Sequence, residues 1–409
     1  MVNLDVEGII KLADKRPLNS DELLRLKSRT YYPAIKLLEI SKGKNESSKE
    51  FFVRTGYNIF RELDECEDVP VEKKGEKTDK DIQNERTVMM NRVAYICGEI
   101  VKREYGLGRS IEDIIHGDDF RSVTNWLVAN EPDKTGKIFA EHFGKGAVLR
   151  DFYELGRKVP EGKEIQEALD YSVKSMSSGM SIFIRRGPIE TFRQLDEYCD
   201  HVAGDVGKKF LNPLVKILDR DENGKEINLS EHLAEQFAKY LQLTNIIKNV
   251  RSDYNEGRRF FPGEWIHREI SFESMMDGDS FNSSEVRKEV LDKMASFAED
   301  KFKDSVRYIQ EIPQNLSGYR AFSLLPLIAA QKTLENVRES SSERVFNGEE
   351  SAVKITHGIR NIYDFSSKVV KNREEGKEVN IWLEEYSNNP SKFSFKPGEY
   401  ESWSDEWLK

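Results

Sequence analysis

Cysteine is scarce in this chain of 409 residues. The three cysteines, Cys66, Cys97 and Cys199, have neither the even number of a disulfide framework nor the close spacing of a metal cluster. A small secreted scaffold held by disulfides is therefore excluded. We expect three free thiols and a reducing compartment.

Long apolar runs are also lacking. No stretch approaches the roughly 18 apolar residues that a membrane-spanning helix needs. The first residues, MVNLDVEGIIKLADKR, carry acids throughout and lack the basic and apolar regions of a signal peptide. We expect a cytoplasmic protein with at most peripheral membrane contact.

The chain has no excess of positive charge. Its 63 Lys and Arg residues are outnumbered by 73 Asp and Glu residues, which gives a net charge of −10. That balance gives no support to a nucleic-acid partner. A site for an anionic ligand must therefore concentrate its own positive charge locally.

Alternating strand patterns are missing, whereas helical periodicity runs through the sequence. It predicts helices near 48–66, 86–104, 135–157, 163–184, 189–210, 284–311, 316–338 and 350–373, and a long helix that begins after Ser230 and contains residues from Gln242 onward. Ser20 and Ser230 are candidate N-caps. We expect an all-α protein with one large domain over 1–375 and a polar, turn-rich appendage over 376–409.

A ladder of polar side chains lies in YNIFRELDECEDVP, residues 57–70. Tyr57, Arg61, Asp64 and Asp68, here called the first ladder, share one helix face. The two carboxylates are one turn apart and repel each other unless a cation lies between them. Mg²⁺ is commonly held by one or two carboxylates together with substrate phosphates, so this face is a candidate magnesium site. The alternative is an exposed acidic helix end.

A second ladder lies in QLTNIIKNVRSDYNEGRRFFP, residues 242–262. Asn245, Asn249 and Asp253 recur every fourth residue, so a helix aligns them on one slowly drifting stripe. Asn disfavours helix interiors, which means that its repetition here has a reason. The stripe is either a set of oxygen ligands aimed at one place or a solvated face of a helical bundle.

Arginine accompanies both ladders. Arg61 belongs to the first, and Arg258 follows the second directly after Gly257. Arginine offers a planar fork of N–H donors that matches phosphate oxygens. The segment KSRTYY adds three more candidate phosphate contacts, Ser28, Arg29 and Thr30. Together these residues suggest a site for a diphosphate bound with Mg²⁺.

These segments resemble the squalene/phytoene synthase family, and more closely its squalene synthase branch, over most of residues 25–360. The resemblance is carried, in the family's order, by SRT (28–30), YNIFRELDECED (57–68), YCDHVAGDVG (198–207), QLTNIIKNVRSDYNEGRRFFP (242–262), AFSLLPLIAA (321–330) and VFNGEESAVKI (345–355). The last two stretches favour the squalene synthase branch. Gly204 and Gly207 allow close backbone approach, either to substrate or to a packed helix.

The resemblance implies an isoprenoid synthase fold, a single large helical bundle around a central cavity, with its catalytic domain over 1–375. It implies a monomeric prenyltransferase that uses Mg²⁺ to join two molecules of farnesyl diphosphate head to head through presqualene diphosphate. Reduction of that intermediate with NADPH then yields squalene.

The resemblance also implies a role for each matching side chain. The implied metal ligands are Asp64, Asp68, Asn249 and Asp253. The implied diphosphate contacts are Ser28, Arg29, Thr30, Arg61, Lys248 and Arg258. The implied catalytic residues are Tyr57, Arg61 and Tyr198, with Tyr198 accepting or relaying a proton. Asn245 and Lys354 correspond to the nicotinamide region, and Phe322 to the hydrocarbon.

Three positions depart from the family's pattern. Asn249 replaces an Asp, Lys248 replaces an Arg, and Thr356 stands where a second basic residue is usual after Lys354. Asn still offers a neutral oxygen to Mg²⁺, whereas Lys lacks the bidentate fork. Two alternatives stay open. One is a synthase that ends at presqualene diphosphate or makes dehydrosqualene or phytoene, and the other is a protein that binds isoprenoid diphosphates without turnover.

Overall fold

The computed structural model describes residues 6–27, 31–40, 46–68, 78–104, 109–131, 134–158, 161–220, 223–266, 270–278, 281–349, 352, 359–371 and 376–390. Within these ranges the regular secondary structure is helical, apart from one isolated bridge between Arg220 and Glu226. The prediction of an all-α protein is confirmed for this part of the chain. None of the described helices is long and apolar enough to cross a membrane.

The helices are numbered in chain order. They are α1 (Val6–Ala13), α2 (Ser20–Lys27), α3 (Tyr31–Ile40), α4 (Glu46–Asp68), α5 (Asp79–Glu104), α6 (Ile111–Ile115), α7 (Asp118–Asn130), α8 (Lys134–Phe143), α9 (Ala147–Lys158), α10 (Gly162–Arg186), α11 (Phe192–Cys199), α12 (Asn212–Leu218), α13 (Glu231–Asn255), α14 (Phe272–Asp277), α15 (Phe281–Glu299), α16 (Phe302–Glu311), α17 (Ser317–Glu339), α18 (Ser342–Phe346), α19 (Ile359–Lys371) and α20 (Gly376–Asn388). Two π-helical turns, Asp200–Gly204 and Gly207–Leu211, follow α11.

Contacts within the chain divide it into two compact units. The first unit comprises Met1–Lys36, Lys44–Gly187 and Lys209–Asp219. The second unit comprises Leu37–Gly43, Pro188–Lys208 and Arg220–Lys409. The first ladder belongs to the first unit and the second ladder to the second unit.

In the first unit, α5 and α10 lie side by side and α4 packs against both. Gly56 of α4 lets the ring of Phe210 come so close that a Cβ at this glycine would lie 2.7 Å from the ring. Phe60 meets the same ring edge to face, with the centroids 5.9 Å apart. These contacts bury one side of the helix that carries the first ladder.

In the second unit, α13 is the central helix and packs against α15, α16 and α17. Ser230 caps it, as the sequence predicts, because its Oγ accepts the backbone N–H of Leu233 at 3.2 Å. Leu243 and Ile247 are completely buried on this helix. The apolar side of α13 therefore supplies much of the local core and leaves another side for the second ladder.

The helices predicted over 135–157 and 284–311 are each two helices in the structure. α8 and α9 are separated at Gly146, which has a φ of +79°, a left-handed conformation that ends a helix. A Cβ at Gly146 would also lie 2.5 Å from the side chain of Ile115. Close packing therefore favours glycine at this break, which periodicity alone does not reveal.

The N-cap of α2 is Asn19, so the prediction of Ser20 is wrong by one residue. Asn19 Oδ1 accepts the N–H of Glu22, and the Glu22 carboxylate accepts the N–H of Asn19, both at 2.9 Å. This reciprocal pair is a capping box. Ser20 instead donates its hydroxyl to Asp151.

The described part of the predicted appendage is helical rather than turn-rich. In α20, Trp382 and Tyr386 are buried, and their rings stack with centroids 4.7 Å apart. Tyr386 also meets Phe302 of α16 edge to face at 5.8 Å. The domain boundary after residue 375 stays a prediction, and residues 391–409 lie outside the described ranges.

Candidate functional site

The first ladder lies on the last turns of α4. Ile59 and Leu63 on this helix are fully buried, whereas the side chain of Asp64 is 33% exposed. Tyr57 and Asp68 are half-buried. The first ladder therefore lies at the edge of the buried core, where a ligand can reach its oxygen atoms.

Arg61 is paired within its own helix. Its guanidinium lies 2.6 Å from Glu65 Oε1 and 3.3 Å from Asp64 Oδ2. Burial by itself lowers the pKa of Arg61, but the carboxylates of Asp64 and Glu65 outweigh it and raise that pKa. Arg61 is thus a fixed positive charge beside a candidate metal ligand. Glu65 is a partner that the ladder pattern did not predict, although its i+4 spacing from Arg61 is the available signal.

The second ladder runs along α13 from an exposed end to a buried end. Asn245 is exposed, Asn249 is half-buried and Asp253 is only 6% exposed. Nδ2 of Asn249 donates to Oδ1 of Asn245 at 3.3 Å, so the two amides are in contact. The structure therefore brings the three side chains onto one stripe, as the spacing predicts.

A tight turn ends α13 and brings Arg258 into contact with the second ladder. Gly257 has a φ of +75°, and the N–H of Arg258 donates to the carbonyl of Asp253 at 2.8 Å. The Arg258 guanidinium donates from Nη2 to Asp253 Oδ1 at 2.8 Å and to Glu256 Oε2 at 2.6 Å. The turn places a guanidinium on the buried carboxylate.

Tyr198 belongs to an aromatic stack in the second unit. It is the penultimate residue of α11 and is 3% exposed. Its ring lies 4.8 Å from the ring of Phe260, and the Arg258 guanidinium lies 5.7 Å from the centroid of Phe260. A cation over an aromatic face is attracted by the negative face of the ring. The stack links Tyr198 to the arginine that contacts the second ladder.

Phe260 was missed by reasoning from the sequence. The available signal is its position in the aromatic run that follows Gly257, but spacing along the chain does not connect it with Tyr198. Only the fold brings these two rings together.

The glycines of the signature segment pack against protein atoms. A Cβ at Gly207 would lie 2.7 Å from the carbonyl oxygen of Ala234 and 3.0 Å from the Cβ of Ala238, both on α13. A Cβ at Gly204 would lie 2.5 Å from Asp200 Oδ1. Close packing against α13 therefore accounts for Gly207, whereas the nearest atom at Gly204 belongs to the side chain of Asp200 in the same segment.

Two predicted substrate residues occupy other positions in the second unit. Phe322 on α17 is 7% exposed and stacks on Tyr319 with a centroid distance of 5.8 Å. Lys248 is half-buried on α13. The remaining predicted residues, Ser28, Arg29, Thr30 and Lys354, lie outside the described ranges, so their roles stay predictions.

The donor set suits a hard cation better than a transition metal. Among the described residues there is no group of three or more His, Cys, Asp or Glu side chains arranged to hold a metal. Each ladder by itself offers two oxygen donors one helical turn apart, Asp64 with Asp68 and Asn249 with Asp253. That is too few to enclose an ion, but Mg²⁺ usually completes its shell with water and substrate phosphates.

Similarity to solved structures extends over nearly the whole chain. A structure described as TcSQS in complex with the ligand E5700 has a TM-score of 0.56 and 19% sequence identity, and the match covers 99% of this chain and 97% of that chain. A complex of TcSQS with BPH1237 gives a TM-score of 0.55 at 18% identity, with 98% and 96% coverage. At this identity the likeness establishes the fold, and it confirms the isoprenoid synthase fold of the sequence-based prediction.

Similarity in sequence is concentrated in shorter stretches. Squalene synthase 1 of Arabidopsis thaliana is 31% identical over 205 residues, which are 48% of this chain and 45% of that protein. Squalene synthase of Solanum lycopersicum is 38% identical over 132 residues, 30% of each chain. A chloroplastic phytoene synthase of an Oncidium hybrid cultivar is 27% identical over 157 residues, 38% of this chain and 35% of that protein. The match spans less than half the length of each of these relatives.

A family profile also matches this chain. The profile described as squalene/phytoene synthase matches residues 152–357, just over half of the chain. The matched range contains Tyr198, the second ladder, Arg258 and Phe322. The chain therefore belongs to the squalene/phytoene synthase family.

Proposed function

We propose that this protein is a squalene synthase, a prenyltransferase that condenses two molecules of farnesyl diphosphate head to head and reduces the product with NADPH. The observation that carries the proposal is the pairing of Arg258 with Asp253 at the end of an oxygen-bearing helix face. The first unit repeats the same chemistry with Arg61 and Asp64. Each unit thus combines oxygen ligands with a guanidinium, which is the chemistry that a metal-bound diphosphate requires.

The residues fit Mg²⁺. Within the first unit, Asp64 and Asp68 on α4 would hold a Mg²⁺ ion through oxygen atoms, the donors that this ion prefers. Within the second unit, Asn249 and Asp253 on α13 would do the same. When bound, Mg²⁺ neutralises negative charge on a diphosphate and makes it a better leaving group. The neutral Asn249 contributes one charge fewer than the aspartate of the family's pattern.

The chain's own side chains have three tasks in the proposed condensation. Arg61 and Arg258 hold the diphosphate oxygens as negative charge develops on the leaving group. Tyr198 accepts or relays, at its hydroxyl oxygen, the proton lost when the cyclopropane ring closes. Phe260 and Phe322 supply aromatic surface that excludes water and stabilises a carbocation without attacking it.

Fewer residues support the assignment of the reductive step. Asn245 is exposed at the start of the second ladder and can offer an amide to a nicotinamide. Lys354, its predicted companion, lies outside the described ranges. NADPH use is therefore proposed from the resemblance to squalene synthases and from Asn245.

Product analysis tests the proposal directly. The protein is incubated with farnesyl diphosphate and Mg²⁺, with and without NADPH, and the lipid products are identified. We expect squalene with NADPH and presqualene diphosphate without it. Dehydrosqualene as the main product, or phytoene when geranylgeranyl diphosphate replaces farnesyl diphosphate, would assign the chain to another activity of the family.

A binding protein without turnover is the second candidate, and Asn249 is the observation that favours it. Calorimetry with farnesyl diphosphate distinguishes this case. Binding that depends on Mg²⁺, together with no product under any condition, would replace the enzymatic proposal.

A further inference from the structure

In the second unit, two lysines with little solvent exposure pair with carboxylates that flank Tyr198 in sequence. Lys239 on α13 is 5% exposed, and the side chain of Lys208 is 17% exposed. A buried ammonium group is costly unless carboxylates surround it. Both lysines are surrounded in this way, and most of those carboxylates belong to residues 196–208, here called the Tyr198 segment.

Lys239 contacts the Tyr198 segment on both sides of the tyrosine. Its Nζ lies 3.2 Å from Asp196 Oδ2 and 3.8 Å from Asp200 Oδ1. These aspartates stand two residues before and two residues after Tyr198. Lys239 also lies 3.0 Å from Oε1 of Glu235 on its own helix. One ammonium group thus bridges α13 to both flanks of the tyrosine.

Lys208 closes the same network from the far end of the segment. Its Nζ lies 3.1 Å from Asp200 Oδ1, 3.3 Å from Asp205 Oδ1 and 3.1 Å from Glu235 Oε2. Asp200 and Glu235 therefore contact both lysines. The ionic pairs form one connected network rather than isolated surface bridges, and connected, partly buried pairs are the ones that constrain geometry.

The lysines and the carboxylates of the network favour one another's charged forms. Burial lowers the pKa values of Lys208 and Lys239, but the surrounding carboxylates outweigh it and raise both. Burial raises the pKa of Glu235, but hydrogen bonds from the two lysines lower it overall. Lys208, Lys239 and Glu235 are therefore charged near neutral pH, so their mutual attraction persists there.

The segment needs such support because its backbone is irregular. Directly after α11 it forms the π-helical turn Asp200–Gly204, and a second π-helical turn begins at Gly207. π-Helical turns are rare and are frequently found at functional sites. Side-chain contacts from outside the segment must therefore help to set the place of Tyr198.

We propose that Lys208 and Lys239 are positioning residues: they anchor the Tyr198 segment to α13, so that the Tyr198 hydroxyl keeps a defined place relative to the second ladder on the same helix. The role in catalysis rests on the proposed function. The anchoring itself concerns only the fold and can be measured without substrate.

Cys199 supplies a local reporter. It follows Tyr198 directly and is completely buried, and burial raises the pKa of its thiol, so alkylation requires local opening of the segment. Cys66 and Cys97 are equally buried and belong to the first unit. Labelling of all three cysteines reports general destabilisation, whereas labelling of Cys199 alone reports release of the Tyr198 segment.

The experiment measures alkylation rates of the three cysteines in the native full-length protein by mass spectrometry. In Lys239→Met, we expect Cys199 to be labelled roughly tenfold faster or more, with Cys66 and Cys97 unchanged, because a broken buried ion pair leaves charges uncompensated. Lys239→Arg should restore a rate within about twofold of wild type because it keeps the charge. Lys293→Met is the matched control, since it removes an exposed i,i+4 pair with Glu289 in the same unit.

A uniform rise at all three cysteines, or no rise at Cys199, would overturn the anchoring proposal. If Lys239→Met fails to fold, Lys208→Met must show the same selective labelling, and its absence there overturns the proposal as well. In the activity assay, Lys239→Met should lower kcat more than it changes KM, with partial recovery in Lys239→Arg. A wild-type protein that forms no product refutes the proposed function, while the labelling result still decides the anchoring.

Discussion

Arg258 is bonded to Asp253 through both its backbone and its side chain. The N–H of Arg258 donates to the Asp253 carbonyl, and Nη2 donates to the carboxylate, each at 2.8 Å. Asp253 is only 6% exposed, so the guanidinium is an immediate neighbour of this nearly buried carboxylate. A cation that approaches Asp253 therefore competes with Arg258 for the same oxygens.

Removal of the Arg258 guanidinium should separate metal binding from diphosphate binding. In Arg258→Gln we expect Mg²⁺ alone to bind roughly three- to tenfold more tightly, because a nearby positive charge is lost. Diphosphate with Mg²⁺ should bind more weakly, because a fork of donors is lost as well. Isothermal titration calorimetry measures both. Arg307→Gln, which removes an exposed arginine paired with Asp304, is the control. Weaker binding of Mg²⁺ alone in Arg258→Gln would contradict the competition.

The first ladder should be essential for turnover but not for folding. Asp64→Asn and Asp68→Asn should each lower activity by roughly a hundredfold or more, the scale of losing a preorganised electrostatic group. Circular dichroism should stay unchanged because these side chains are half-exposed on α4. Asp118→Asn, an almost fully exposed carboxylate in the same unit, should keep wild-type activity. Near-normal activity in both ladder variants would refute the metal assignment.

The hydroxyl of Tyr198 should matter for condensation more than for binding. Tyr198→Phe keeps the ring that stacks on Phe260 and removes only the oxygen that handles the proton. We expect single-turnover formation of presqualene diphosphate to slow by roughly a hundredfold, with the affinity for farnesyl diphosphate nearly unchanged. Tyr254→Phe, which removes a hydroxyl that donates to Asp277, is the matched control. A normal rate in Tyr198→Phe excludes the proton role.

The side chain at position 249 should set the requirement for Mg²⁺. Asn249→Asp adds a charged oxygen, so the Mg²⁺ concentration for half-maximal activity should fall. Asn249→Leu should abolish metal-dependent diphosphate binding at α13, because it removes the amide oxygen and leaves Asp253 alone. Asn249→Ala should be milder, since water can take the place of the amide. Activity is measured against Mg²⁺ concentration in all three variants, and an unchanged curve for Asn249→Leu means that Asn249 is not a ligand.

His201 should make a small, pH-dependent contribution to stability. The carboxylate of Asp205, 3.8 Å from His201 Nδ1, is the main cause that raises the pKa of His201 above its ordinary value of about 6.5. Because the folded-state pKa is raised, this stabilisation is complete below the unfolded-state pKa and is lost as pH rises through the folded-state pKa. The imidazole is partly exposed, so we expect no more than about 0.5 kcal/mol.

The pH effect can be measured by urea unfolding of wild type and His201→Gln between pH 5.5 and 8. The difference in free energy of unfolding should shrink toward pH 8. A difference that grows with pH would contradict a raised pKa. Titration of the His201 ring by NMR, with Asp205→Asn for comparison, measures the pKa itself.

The local parts of this protein could be predicted from its sequence. The i, i+3 and i+4 spacing in residues 57–68 and 245–253 predicted two polar helix faces, and both are present on α4 and α13. Ser230 predicted the start of α13. These features depend on backbone geometry within a few residues, so the residues close to them in the sequence are enough to predict them.

Which distant side chains meet could not be predicted from the sequence. Phe260 joins Tyr198 to Arg258, and Lys239 pairs with acids on both sides of Tyr198, although no spacing along the chain links these residues. The break at Gly146 likewise depends on how closely Ile115 packs there. The physical reason is that burial and charge pairing depend on the packing of whole helices, whereas helical periodicity reports only which side of each helix faces inward.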